Sequence, residues 1–102
     1  VNPPRIKYDP REEKIRVWLI EDNEIFSETV VNLLNRTSGF TCEQAFSNCE
    51  DMLEHLESEI SPDVVLADIG LPGMSGIEGV ERIKSISPST HVIILTIHEE
   101  NE

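Results

Sequence analysis

Short apolar runs that alternate with helix-period segments constrain this chain most. "IRVWLI" (15–20) and "HVIILT" (91–96) are rich in β-branched residues, and Val64–Ala67 is a third unbroken apolar run. The unbroken run Val17–Ile20 suits a strand covered on both faces, as in a parallel sheet. Between the runs the period changes. Phe26, Val30, Leu33 and Leu34 in 24–36 fall on one helical face, as do Cys49, Met52, Leu53, Leu56 and Ile60, and then Ile77, Val80 and Ile83. "FTCEQAF" (40–46) alternates polar and apolar residues and reads as an edge strand. The order β-α-β-α-β-α-β predicts an α/β domain with a parallel sheet and right-handed crossovers.

Punctuation supports these boundaries. Asn23 is placed to cap the first helix and Gly39 to end it. Ser47-x-x-Glu50 and Ser75-x-x-Glu78 have capping-box spacing, and Pro62 and Pro88 stop the second and third helices. Glu78 and Arg82 form a favourable i,i+4 pair. "VNPPRIKYDPREEK" (1–14), with three prolines and no periodicity, reads as an N-terminal extension or linker before a domain over 15–102.

Charge narrows the function. The net charge is −12, and five of the eight basic residues lie in the first 16 positions, leaving 3 basic against 17 acidic residues from 17 onward. Such a surface repels phosphate backbones, so no nucleic acid is expected to bind this segment; a cation or a basic partner suits it. No apolar run approaches the ~20 residues of a membrane span, and no signal-peptide pattern opens the chain, so neither a membrane nor export is expected. Cys42 and Cys49 lack metal-ligand spacing and read as buried thiols of a cytoplasmic protein. His55, His91 and His98 are scattered and read as helix-surface, strand-start and loop residues. Trp18 reads as core, or as packed where a last helix would sit.

Ligands of open parallel sheets sit beyond the carboxyl ends of the strands. The first strand ends in Glu21 and Asp22, the third in Asp68 and the fourth in Thr96. If the first and third strands are neighbours, three carboxylates converge, and like charges that close need neutralising. Mg²⁺ takes one or two carboxylates, a carbonyl and waters. "DIGLPGMSG" (68–76) would then display Asp68 on a rigid turn, with Gly70 presenting its carbonyl to the metal.

"WLIEDN" (18–23), "LADIGLPGMSG" (66–76) and "VIILTIHEE" (92–100), in this order, resemble the receiver domain of two-component response regulators over 15–102. "LTIHEE" is also similar to the LuxR-type subgroup, whose receivers precede a helix-turn-helix DNA-binding domain. The resemblance implies a flavodoxin-like doubly wound sheet of order 2-1-3-4, truncated before the family's fifth strand, its lysine and the last helix. It implies that Asp68 accepts a phosphoryl group from a sensor histidine kinase. Glu21, Asp22, Asp68 and the Gly70 carbonyl would hold Mg²⁺, and Thr96 would hydrogen-bond the phosphoryl oxygens and act as a switch. With the fourth strand as a bare edge, the chain is expected to form homo-oligomers. Two alternatives stand beside this reading. One is a degenerate receiver that acts as a phosphorylation-independent interaction module. The other is a phosphohydrolase of the haloacid dehalogenase type, disfavoured because Gly70 occupies the place of its acid/base Asp. An enzyme is therefore not expected.

Overall fold

The computed structural model describes residues 14–68 and 76–95. In chain order these form β1 (Ile15–Ile20), α1 (Glu24–Asn35), β2 (Phe40–Phe46), α2 (Cys49–Ser58), β3 (Val64–Asp68), α3 (Gly76–Ile86) and β4 (His91–Leu95). All strand pairs are parallel, and the sheet order is β2-β1-β3-β4. The expected α/β sheet of order 2-1-3-4 is the one observed. Among the described residues no helix is long and apolar enough to cross a membrane.

The apolar runs of β1 and β3 occupy the centre of the sheet; Val17–Ile20 are covered on both faces, while on β3 Val65 and Ala67 are buried and Val64 and Leu66 half-covered. Trp18 and Ile20 on β1 and Val65 and Ala67 on β3 share one face, packed with Met52, Leu53 and Leu56 of α2 and Ile83 of α3. Val17 and Leu19 are buried on the opposite face, where α1 packs against β1 and β2. Trp18 is thus core, under α2 and α3, with its ring 5.5 Å from that of Phe46. Cys42 and Cys49 are buried free thiols, as the sequence suggests.

Several boundaries differ from expectation for local reasons. Asn48, not Ser47, caps α2: its Oδ1 accepts the Asp51 N–H at 2.8 Å. A true Asn cap displaces the Ser47-x-x-Glu50 pattern by one residue. The helix stops at Ser58, four residues before Pro62, so Ile60 leaves the apolar stripe and is 80% exposed. α1 ends at Asn35 with Arg36 as its cap; Gly39, at φ +94°, instead makes the turn into β2. Leu33 and Ile77, counted on helical core faces, are exposed. His55 is half-buried, its ring 4.9 Å from that of Phe46, rather than fully on the surface. The Glu78–Arg82 pair forms at 3.4 Å. Ser75 and His98 lie outside the described residues.

Two polar clamps close the sheet away from the strands' carboxyl ends. The Asn35 side-chain amide accepts the Cys42 N–H at 2.8 Å and donates to the Cys42 carbonyl at 3.4 Å, occupying backbone groups of edge strand β2 as a neighbouring strand would. Arg16 on β1 donates through Nε to both Glu43 carboxylate oxygens at 3.0 Å and through its terminal nitrogens to Glu43, Ser61 and Ile60. The register shift between Val17 and Trp18 leaves Glu43 as the extra residue of β2. The guanidinium holds the Glu43 carboxyl below its usual pKa. We therefore expect Arg16→Ala to cost about 1 kcal/mol in urea unfolding at neutral pH, the upper end for a solvent-screened ion pair. Because the Glu43 pKa is lowered in the fold, this contribution is complete above the unfolded carboxylate range. It is lost as pH falls through the lower folded value. The gap between the wild-type and variant curves should narrow in acid to what the bonds to the Ser61 and Ile60 carbonyls contribute, and a gap unchanged down to pH 3 would refute the Glu43 part of the clamp.

Candidate acidic site at the carboxyl edge of the sheet

The site is built by strand register. Ile20 pairs with Ala67, so the residue after each, Glu21 and Asp68, falls at the same edge of two adjacent strands. Asp22 follows Glu21 in the turn into α1. One carboxylate oxygen from each of Glu21, Asp22 and Asp68 lies within 4.8 Å of the others. Asp22 is exposed, Asp68 half-buried, and Glu21 only 5% exposed.

Glu21 is held from two sides. Its N–H donates to the Phe46 carbonyl at 2.9 Å, prolonging the β1–β2 ladder, and its Oε2 accepts the Asn23 N–H at 3.0 Å. Its buried Oε1 meets no hydrogen-bond donor among the described residues. Burial pushes the Glu21 carboxyl above its usual pKa, and the Asn23 N–H pulls it down. The charges of Asp68 and Asp22 raise it further. Asn23 also caps α1, its Oδ1 accepting the Phe26 N–H at 2.9 Å. Beside the carboxylates a cleft of about 350 Å³ opens between the ends of β1 and β2, reaching Glu24, Ser27 and Ser47.

Three converging hard oxygen ligands, one of them a buried Glu21 carboxylate whose Oε1 meets no donor among the described residues, fit a small divalent cation. They do not fit a soft transition metal, for which thiolate or imidazole would be expected. Of the residues singled out from the sequence, Glu21, Asp22 and Asp68 are brought together. Gly70 and Thr96 lie outside the described residues; β4 is described as far as Leu95, the register partner of Asp68. Sequence reasoning missed the second role of Asn23, a backbone donor to Glu21. The signal was present in the i,i+2 spacing of "EDN", but a cap alone accounted for the asparagine.

A profile of the response regulator receiver domain matches residues 17–102. The chain belongs to that family. Among curated relatives, the receiver domain is 33% identical over 90 residues to a protein-glutamate methylesterase/protein-glutamine glutaminase of Paramagnetospirillum magneticum, covering 88% of this chain and 25% of that protein. It is 37% identical over 84 residues to the DNA-binding transcriptional regulator NtrC of Escherichia coli, covering 82% of this chain and 17% of that one. The chain thus spans a quarter or less of the length of these two relatives. Among solved structures, the signal receiver domain of the response regulator NarL from Mycobacterium tuberculosis superposes with a TM-score of 0.72 at 30% identity, over 86% of this chain and 70% of that one. A LuxR-family response regulator from Aurantimonas superposes with a TM-score of 0.75 at 28% identity, over 84% and 61% of the two chains.

Proposed function

We propose that this receiver domain accepts a phosphoryl group on Asp68 from a phosphohistidine of a sensor histidine kinase, with Mg²⁺ held by Glu21, Asp22, Asp68 and the Gly70 carbonyl. The convergence of Asp68 with Glu21 and Asp22 carries this reading. An Asp68 carboxylate oxygen attacks phosphorus, the P–N bond to the imidazole breaks, and the leaving imidazole takes a proton from solvent. A carboxylate is a weak nucleophile, so alignment and charge neutralisation supply most of the catalysis. The cation, when bound, offsets negative charge on the carboxylates and on the transferring group. Glu21, fixed by its two backbone contacts, orients the site, and Thr96 hydrogen-bonds the phosphoryl oxygens and serves as the switch.

The domain comprises residues 15–102, with 1–14 as an extension or linker. It acts as a cytoplasmic switch rather than an enzyme. In the full-length protein it would control a DNA-binding output domain, a reading supported by the likeness to NtrC and to a LuxR-family regulator. The phosphorylation-independent alternative predicts the same fold with no acceptance. Incubation with phosphoramidate and Mg²⁺ should add one phosphoryl mass, slowly and partially, by intact-mass spectrometry. In parallel, Mg²⁺ should raise the melting temperature, since a ligand bound only by the folded state stabilises it, by about 2.7 kcal/mol at a hundredfold excess over Kd. No added mass and a melting curve unchanged up to ~20 mM Mg²⁺, far above a plausible Kd on that linkage relation, would refute the proposal.

A further inference from the structure

Asn23 joins two elements of the acidic site that a helix cap alone has no reason to join. Its side chain fixes the first turn of α1 by accepting the Phe26 N–H, and its carbonyl accepts the Ser27 N–H at 2.9 Å. With both of its oxygens committed to the helix, its own N–H is aimed back at Glu21 Oε2, 3.0 Å away. That contact ties down one oxygen of a carboxylate that is 5% exposed and leaves Oε1 as the oxygen without a donor among the described residues. Glutamate has one more rotatable bond than aspartate, so an untethered Glu21 could turn either oxygen toward Asp22 and Asp68, or neither.

We infer that Asn23 is a positioning residue: its cap sets the backbone of the β1–α1 turn so that its N–H locks the Glu21 carboxylate in the orientation that serves a cation. The inference rests on the cation-site reading above and adds a residue that contributes no ligand atom to it. Replacing Asn23 changes no formal charge, so any effect on cation affinity comes from geometry rather than from the field of the site. The fold supplies its own control. Asn48 caps α2 with the same chemistry, its Oδ1 accepting the Asp51 N–H, but its N–H holds no carboxylate of the acidic trio.

The test is Mg²⁺ affinity by isothermal titration calorimetry beside thermal stability, for wild type, Asn23→Ala, Asn23→Ser and Asn48→Ala. Both alanine variants lose a cap of similar strength and should melt lower by similar amounts. Only Asn23→Ala should weaken Mg²⁺ binding, by fivefold or more, while Asn23→Ser, which keeps a capping oxygen, should stay within twofold of wild type. Should Asn23→Ala fail to fold, Asn23→Gly reads the same quantity, since glycine is a tolerated cap that leaves the turn unfixed. Equal weakening in the two cap variants, or Mg²⁺ binding by Asn23→Ala or Asn23→Gly as tight as wild type, overturns the positioning role while leaving the cation site standing. Absence of any Mg²⁺ heat in the wild type overturns the site and the positioning role together.

Discussion

Asp68→Asn should abolish phosphoryl labelling outright and, in the absence of metal, make the domain more stable. The two effects have one origin. The carboxylate proposed as the phosphoryl acceptor is also a like charge held within 4.8 Å of Glu21 and Asp22, and after burial its charge adds to the raised Glu21 pKa. Asparagine keeps the shape and removes the charge and the nucleophile. A raised carboxyl pKa means that the fold binds a proton more tightly than the unfolded chain. Its cost is absent below the unfolded carboxylate pKa and complete above the raised folded value. Relief should therefore appear at neutral pH and fade in acid. Intact mass after phosphoramidate treatment and urea unfolding in EDTA read the two arms. Thr96→Ala, which leaves the proposed acceptor carboxylate in place and removes the hydroxyl proposed to bond the phosphoryl oxygens, should only slow labelling. Wild-type labelling of Asp68→Asn would show that another residue accepts the group. Destabilisation in EDTA would show that Asp68 contributes more through its contacts than it costs through its charge.

The architecture was legible because its signal is redundant. The unbroken run on β1 and the alternation on β2 point to a covered strand and an edge strand of a parallel sheet, while the order 2-1-3-4 is implied by the resemblance to receiver domains; patterning alone would not place the equally apolar β4 at an edge. The acidic trio was legible for the same reason, since residues just past adjacent parallel strands share an edge. What the sequence hid depends on single hydrogen bonds. A cap moves from Ser47 to Asn48 because either side chain can accept an N–H, and only the backbone entering α2 decides between them. Ile60 fits the helical period but falls past the last turn, since α2 unwinds before Pro62 requires it. The Glu43 bulge left no compositional trace; it follows from a long-range pairing with Arg16 across 27 residues.

The 102-residue chain should self-associate at micromolar concentration, because the two edges of its sheet are not equally protected. On β2 the Asn35 amide occupies Cys42 and the Glu43 bulge interrupts the ladder, two devices that discourage strand addition. β4 has neither among the described residues. It pairs with β3 on one side and carries no proline, lysine or bulge. It also exposes Ile93 by 49% and Ile94 by 36%, and these neighbours point to opposite faces of the sheet. Among the described residues, both faces of the strand are therefore wet and its outer edge is unpaired. On the α1 side Leu66 is incompletely covered and Leu33 is exposed, so apolar surface extends beyond the strand. Each ~100 Å² of such surface removed from water is worth about 2.5 kcal/mol, against a whole-domain stability of about 5–15 kcal/mol. The general repulsion between chains of net charge −12 opposes association, but β4 itself carries no acidic residue. Added salt should therefore strengthen association by screening that repulsion. Size exclusion with in-line light scattering should report a dimer or larger species, and Ile93→Lys, which places a charge on the open strand, should return it to monomer. A sharp monomer peak for the wild type at micromolar concentration, with cooperative unfolding, would show that β4 is satisfied within one chain.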